Sequence, residues 1–212
     1  MRNWLLPIFL SLAAAAAQAA LPQRVEIAYD VLRNGTAIAE VVERLEHDGR
    51  RYRLHQTWKG KGVYALRGEA TRDSRGTVAR DGLRPTEFEE LRTGRNPRRA
   101  SFGTDGDTLK NQDRLSLAWT FAIAPPRAPV TVQVADGDDV STHIYEVAGR
   151  ERVVTAAGEF DAVKLVRRKD KPDSRTVELW LAADRQFLPV RVQVTDRDGT
   201  RIDQVAARIT LP

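Results

Sequence analysis

Turn chemistry recurs along this chain at short intervals: Asn34-Gly35, His47-Asp48-Gly49, Asp73-Ser74-Arg75-Gly76, Asp81-Gly82, Thr93-Gly94, Asp105-Gly106, Asp136-Gly137, Ala157-Gly158 and Asp198-Gly199. Signals spaced roughly 8 to 12 residues apart mark an all-β sandwich or barrel, since the runs between them suit single strands. Parallel strands need helical crossovers between them, and such crossovers are missing here. The expectation is a single antiparallel sheet system.

The runs themselves have the period of strands. Val25, Ile27, Tyr29 and Val31 alternate with Glu26, Ala28 and Asp30, and Asn-Gly between two such runs is the strongest signal for a two-residue hairpin. Ala37 to Glu46 and Arg51 to Lys59 continue a meander. Late in the chain, Gly158 to Leu165, Val177 to Asp184 and Phe187 to Arg191 read as three more strands. Leu188, Val190, Val192 and Val194 face one way against Arg191, Gln193 and Thr195, so one face is buried and the other wet.

Two segments break the β pattern. Val63 to Leu66, after Gly60-Lys61-Gly62, fits one helical turn, and Asp113 to Ala124 fits a helix capped by Asp113 and stopped by Pro125-Pro126. That helix is apolar nearly all round, which predicts burial. The fold class is therefore all-β: one strongly curved antiparallel sheet, a half-barrel or open barrel, with one short helix packed against it.

Six short motifs, in order, resemble an uncharacterised family of exported bacterial proteins, domain of unknown function 3108. They are Tyr29-Asp30-Val31, Gly82-Leu83-Arg84-Pro85, Asp113-Arg114-Leu115-Ser116, Gly158-Glu159-Phe160, Trp180-Leu181-Ala182-Ala183-Asp184 and Leu188-Pro189-Val190-Arg191. The resemblance implies a fold and a cell compartment, and no activity. In shape alone, the expected sheet is similar to half-barrel periplasmic carriers that hold acyl chains beneath helical lids.

The N-terminus points to the same compartment. Arg2 supplies positive charge, Trp4 to Ala17 is apolar, and Ala17-Gln18-Ala19 matches a small-x-small cleavage site. The expected organisation is a cleavable signal peptide over residues 1–19 and one β-rich domain over 20–212. The chain has no cysteine, which removes disulfides, thiolate chemistry and lipid attachment through an N-terminal cysteine. The expected location is the periplasm, and the expected protein is no lipoprotein.

Catalytic and metal patterns find little support. Gly60-Lys61-Gly62-Val63-Tyr64-Ala65 fits a nucleotide-binding pattern formally, but that motif needs a parallel strand-helix unit. His47, His55 and His143 offer no metal-ligand spacing, and Asp136 to Asp139 and Asp196 to Gly199 lack the downstream glutamate of calcium loops. No Gly-x-Ser-x-Gly elbow is present, and the adjacent Glu89 and Glu90 point to opposite faces of a strand. The expectation is a non-enzymatic protein with no cofactor and no metal, although distant carboxylates could converge.

The candidate ligand-binding set is Trp58, Tyr64, Leu66, Leu115, Trp119 and Phe121, lining an apolar cavity under the curved sheet; plain core packing is the commoner role for such side chains. Arg95, Arg98 and Arg99 are the candidates for an anionic head, set against a solvated-surface reading. With 34 Lys and Arg against 29 Asp and Glu, the basic excess is small, and nucleic acid is not expected as a partner. A lipid or other hydrophobic ligand, an envelope protein acting through an interface, and peripheral membrane contact are the partners considered. An envelope hydrolase is the reading with least support.

Overall fold

A computed structural model of the chain describes residues 21–103, 106–169, 171 and 174–212. The signal-peptide reading of residues 1–19 and the Asp105 part of one predicted turn lie outside them. Thirteen strands form one sheet. The first meander is β1 (Arg24–Arg33), β2 (Thr36–His47), β3 (Arg51–Gly60), β4 (Glu69–Ala79), β5 (Gly82–Arg92) and β6 (Arg98–Ser101). After β7 (Gln112–Asp113) and the helix α1 (Ser116–Ile123) come β8 (Val130–Asp136), β9 (Asp139–Thr155), β10 (Gly158–Arg167), β11 (Thr176–Ala182), β12 (Leu188–Thr195) and β13 (Arg201–Thr210).

The sheet order runs β6-β5-β4-β3-β2-β1-β13-β12-β11-β10-β9-β8-β7, so β1 joins the two meanders by pairing with both β2 and β13. Every neighbouring pair is antiparallel except β7 with β8, which is parallel over two residues. The sheet curls into a nearly closed barrel. Its ends approach where Arg98 of β6 meets Asp136 of β8 at 3.0 Å.

Local chemistry explains the turns. Asn34 (φ 49°) and Gly35 (φ 85°) both take left-handed backbone, the two-residue turn whose twist matches a hairpin. The carboxylate of Asp48 accepts the backbone N–H groups of Arg50 and Arg51 at 2.8 and 2.7 Å. The predicted turn at Asp73-Ser74-Arg75-Gly76 is instead continuous strand inside β4, and its Gly76 marks a bulge. A Cβ there would stand 2.0 Å from the Arg84 carbonyl oxygen, so only glycine lets β5 come that close.

The helix is shorter than predicted because Asp113 belongs to β7 and caps from outside. Its Oδ1 accepts the N–H groups of Leu115 and Ser116, both at 2.8 Å. Burial of α1 on all sides follows from its place between two hydrophobic clusters. Leu115 and Trp119 enter one, with Val25, Ile27, Leu45 and Leu54. Leu117 and Phe121 enter the other, where Phe121 meets Tyr145 edge-on at 5.4 Å.

Candidate functional site

Strand register builds the first candidate site row by row. On one face of β1 to β5 the deepest row is Val25, Leu45, Leu54, Ser74 and Phe88, the next is Ile27, Glu43, Gln56, Arg72 and Glu90, and the third is Tyr29, Val41, Trp58, Ala70 and Arg92. The middle row is polar across four strands. Glu43 accepts N–H from Gln56 (2.6 Å), Trp119 Nε1 (3.0 Å) and Gln204 (3.4 Å). Arg72 donates to Gln56 Oε1 and, at 2.6 Å, to Glu90 Oε1, which also accepts from Arg92 at 2.9 Å.

Burial and charge act in opposite senses along this row. Burial pushes the Glu43 carboxyl above its ordinary range, against its three N–H donors and the Arg72 charge. Burial would raise Glu90 too, but Arg72 and Arg92 outweigh it and hold that carboxyl below the usual range. A second buried carboxyl, Asp113, is raised by burial. It accepts Ser74 Oγ at 2.5 Å besides its two backbone N–H donors, and Ser74 in turn bonds the Tyr52 hydroxyl at 2.8 Å. Distant carboxylates therefore lie inside the barrel, in two networks in which Glu43 and Asp113 have both oxygens occupied by protein donors.

The third row opens into a groove of about 690 Å³ lined by Trp58, Gly68, Arg72, Arg92, Thr93 and Arg95 among others. Gly68 (φ 73°) is fixed there by crowding, since a Cβ would lie 2.4 Å from Thr93. This is the polar groove. Of the predicted site residues, it unites Trp58 and Arg95.

The others go elsewhere. Leu115, Trp119 and Phe121 are buried in the core, divided between its two clusters, because α1 separates them. Tyr64 packs half-buried on the first cluster, while Leu66, on the 3-10 turn Gly62–Arg67, is 90% exposed. The six side chains thus do not line one common cavity. Arg98 pairs with Asp136 and Arg99 with Glu89, so both guanidiniums are engaged by carboxylates.

A second groove, of about 680 Å³, was not foreseen. Its floor is Ile123, Pro125, Pro126, Val147, Val163 and Phe187, at the C-terminal end of α1 and along β9 and β10. Arg80, Arg127 and Arg150 stand at its rim. Arg150 pairs with Asp161 at 3.3 Å; Arg80 and Arg127 make no ion pair among the described residues. Gln186 (φ 52°) and Phe187 (φ 56°) both hold left-handed backbone, anchored by the Phe187 N–H donating to the Ala182 carbonyl at 2.8 Å. For a bulky aromatic this conformation is a true outlier. The sequence signal was Pro125-Pro126 following a helix apolar on all sides, read only as a stop.

Comparison with known proteins places the fold. The family model "Protein of unknown function (DUF3108)" matches residues 104–205, a span that includes four of the six motifs and excludes Tyr29-Asp30-Val31 and Gly82-Leu83-Arg84-Pro85. A β-barrel-like protein of domain of unknown function DUF1849 from Brucella abortus shares the fold at TM-score 0.50 and 9% identity, covering 91% of this chain and 99% of that one. A protein with a YmcC-like fold from Bacteroides fragilis aligns at TM-score 0.43 and 12% identity over 90% of this chain and 97% of its own. No curated protein matches the chain.

Proposed function

We propose that this chain, whose residues 104–205 match the DUF3108 family of proteins of unknown function, is an exported, non-enzymatic binding protein for an anionic amphiphile. The apolar groove at the end of α1 is the site. The observation that carries this reading is an apolar floor bordered by two guanidiniums, Arg80 and Arg127, without carboxylate partners among the described residues. The signal-like segment over residues 1–19 supports export, and a periplasmic location follows from it.

Magnitudes favour a ligand with both parts. Eight methylenes on the floor contribute about 6 kcal/mol at roughly 0.8 kcal/mol each, while association alone costs about 4 kcal/mol or more. A chain without a head would bind weakly. A charge-assisted hydrogen bond from arginine to a carboxylate or phosphate adds about 1.5 to 3 kcal/mol. The strained backbone at Phe187 fits a wall held in place for a ligand.

Glu43 and Asp113, two of the interior carboxyls, have both oxygens taken by protein donors, which fits a structural role for them. A second reading, a protein partner adding a strand, is favoured by β6, whose outer edge ends the sheet.

Native mass spectrometry of protein purified gently from its own host, followed by solvent extraction, tests the proposal. The expected result is an extra mass that extracts as an amphiphile, with lauric acid rebinding and the Arg80→Glu, Arg127→Glu double variant failing to rebind it. A clean mass with no uptake of lauric acid defeats the proposal and leaves the strand-addition reading.

A further inference from the structure

The 3-10 turn Gly62–Arg67 carries the two most exposed large apolar side chains among the described residues, Leu66 at 90% and Val63 at 76%. Residues three apart eclipse on a 3-10 helix, so these two stand together on one face. The rest of the turn is fixed to the barrel. Tyr64 packs on the first hydrophobic cluster, and its hydroxyl accepts from Arg33 at 3.3 Å. The Lys61 N–H donates to the Ile38 carbonyl at 2.8 Å, while Lys61 Nζ pairs with Asp30 at 2.9 Å. Gly60 permits this close seat, since a Cβ there would lie 2.2 Å from the Tyr64 carbonyl oxygen. Val63 and Leu66 are therefore held outward, away from the core.

The free charge around the turn is basic. Arg33, Arg95 and Arg201 are exposed and make no ion pair among the described residues. Arg201 lies beside Arg33, its carbonyl accepting the Asn34 N–H at 2.9 Å, and Arg95 shares the polar groove with Gly68, the residue that ends the turn. The nearby carboxylates are already engaged: Asp30 and Glu40 by Lys61, and Glu69 by Lys59. Asp196 and Asp198, whose charges reach Arg33, are held by Arg175 and by Thr200.

We infer that this turn is a docking point for an anionic lipid surface. Val63 and Leu66 enter the boundary between headgroups and acyl chains, and Arg33, Arg95 and Arg201 meet the phosphates. Lipid suits a projecting tip because it needs no complementary shape. A stable protein interface buries about 800 Å² on each partner, far more than two small side chains supply. Apolar insertion and basic charge add, so binding is reversible and needs both. Strand β4 leads from this turn to Arg80 of the apolar groove, so docking leaves that groove uncovered at the strand's far end.

The test floats the full chain and its variants, all produced alike in the host, with vesicles of phosphatidylcholine alone or mixed with phosphatidylglycerol. The expected result is binding about tenfold tighter to the mixed vesicles, lost at about 1 M salt, where charges are screened beyond about 3 Å. The Val63→Ser, Leu66→Ser double variant should bind about tenfold more weakly at an unchanged melting temperature, because both positions are exposed. Arg95→Ala and Arg201→Ala should each cost about fivefold. Leu66→Trp should add a blue-shifted emission on the mixed vesicles, which reports insertion directly. Equal binding by the parent and the double variant, equal binding to both vesicles, or no blue shift overturns the inference. Self-association that the double variant abolishes, without vesicle binding, overturns it in favour of a second copy on the turn.

Discussion

The two grooves have almost the same volume, about 690 and 680 Å³, and opposite construction. The polar groove opens over two arginines, Arg72 and Arg92, tied to the buried Glu90, so most of its charge is part of the fold. The apolar groove carries its arginines on the rim and keeps its floor greasy, so its charge stands apart from the fold. The same residue type is structural in one place and available in the other. Burial and partners decide which, and the amino acid does not.

The largest expected effect separates two arginines. Arg72→Ala should cost about 3 kcal/mol, because it removes one of the two guanidiniums on the buried Glu90 carboxylate, leaving Arg92 alone, and leaves the Gln56 carbonyl without its donor. Arg127→Ala should stay within about 0.5 kcal/mol as an exposed change. Chemical denaturation of both variants checks this, and equal losses would erase the distinction between the grooves.

A smaller effect lies in pH. Glu43 is raised in the folded protein, so the native state holds its proton longer and stability falls as pH climbs from the ordinary carboxyl range through the raised value. Glu90 is lowered, so its contribution is present above the ordinary range and is lost as pH drops through the depressed value. Relative to the parent, Glu43→Gln should therefore gain melting temperature as pH rises, and Glu90→Gln should lose it. Slopes of the same sign would show that the polar row does not titrate as two opposed groups.

The smallest effect concerns the apolar wall. Gln186→Gly removes the steric cost of left-handed backbone at φ 52°, offset by glycine's greater freedom in the unfolded chain, and should leave stability within about 1 kcal/mol. A loss beyond that, read by thermal melts, would show that the Gln186 side chain itself holds Phe187 in place.

Much of the fold was legible because hairpin chemistry is local: Asn34-Gly35, Asp48-Gly49 and the late alternating strands stand where their residues put them. The polar row was not legible, because alternation rules assume that inward side chains are apolar. In β4 both faces carry polar residues, with Arg72 and Ser74 inward and Asp73 and Arg75 outward, which is why this strand resembles a turn in sequence. Ion pairing was hidden for the same reason. Arg98 and Arg99 meet Asp136 and Glu89 only across strands. The split of Trp119 from Phe121 depends on a helix buried on two sides, which an all-round apolar pattern announces without saying what lies on each side.

The pairing of β1 with β13 joins residues near Glu26 to residues near Thr210. Until the last strand is made, β1 keeps one edge open, and the first six strands form a sheet with an unfinished seam. Such long-range pairing is slow to form, so the seam between the first and last strands is the step that local hairpin chemistry cannot speed.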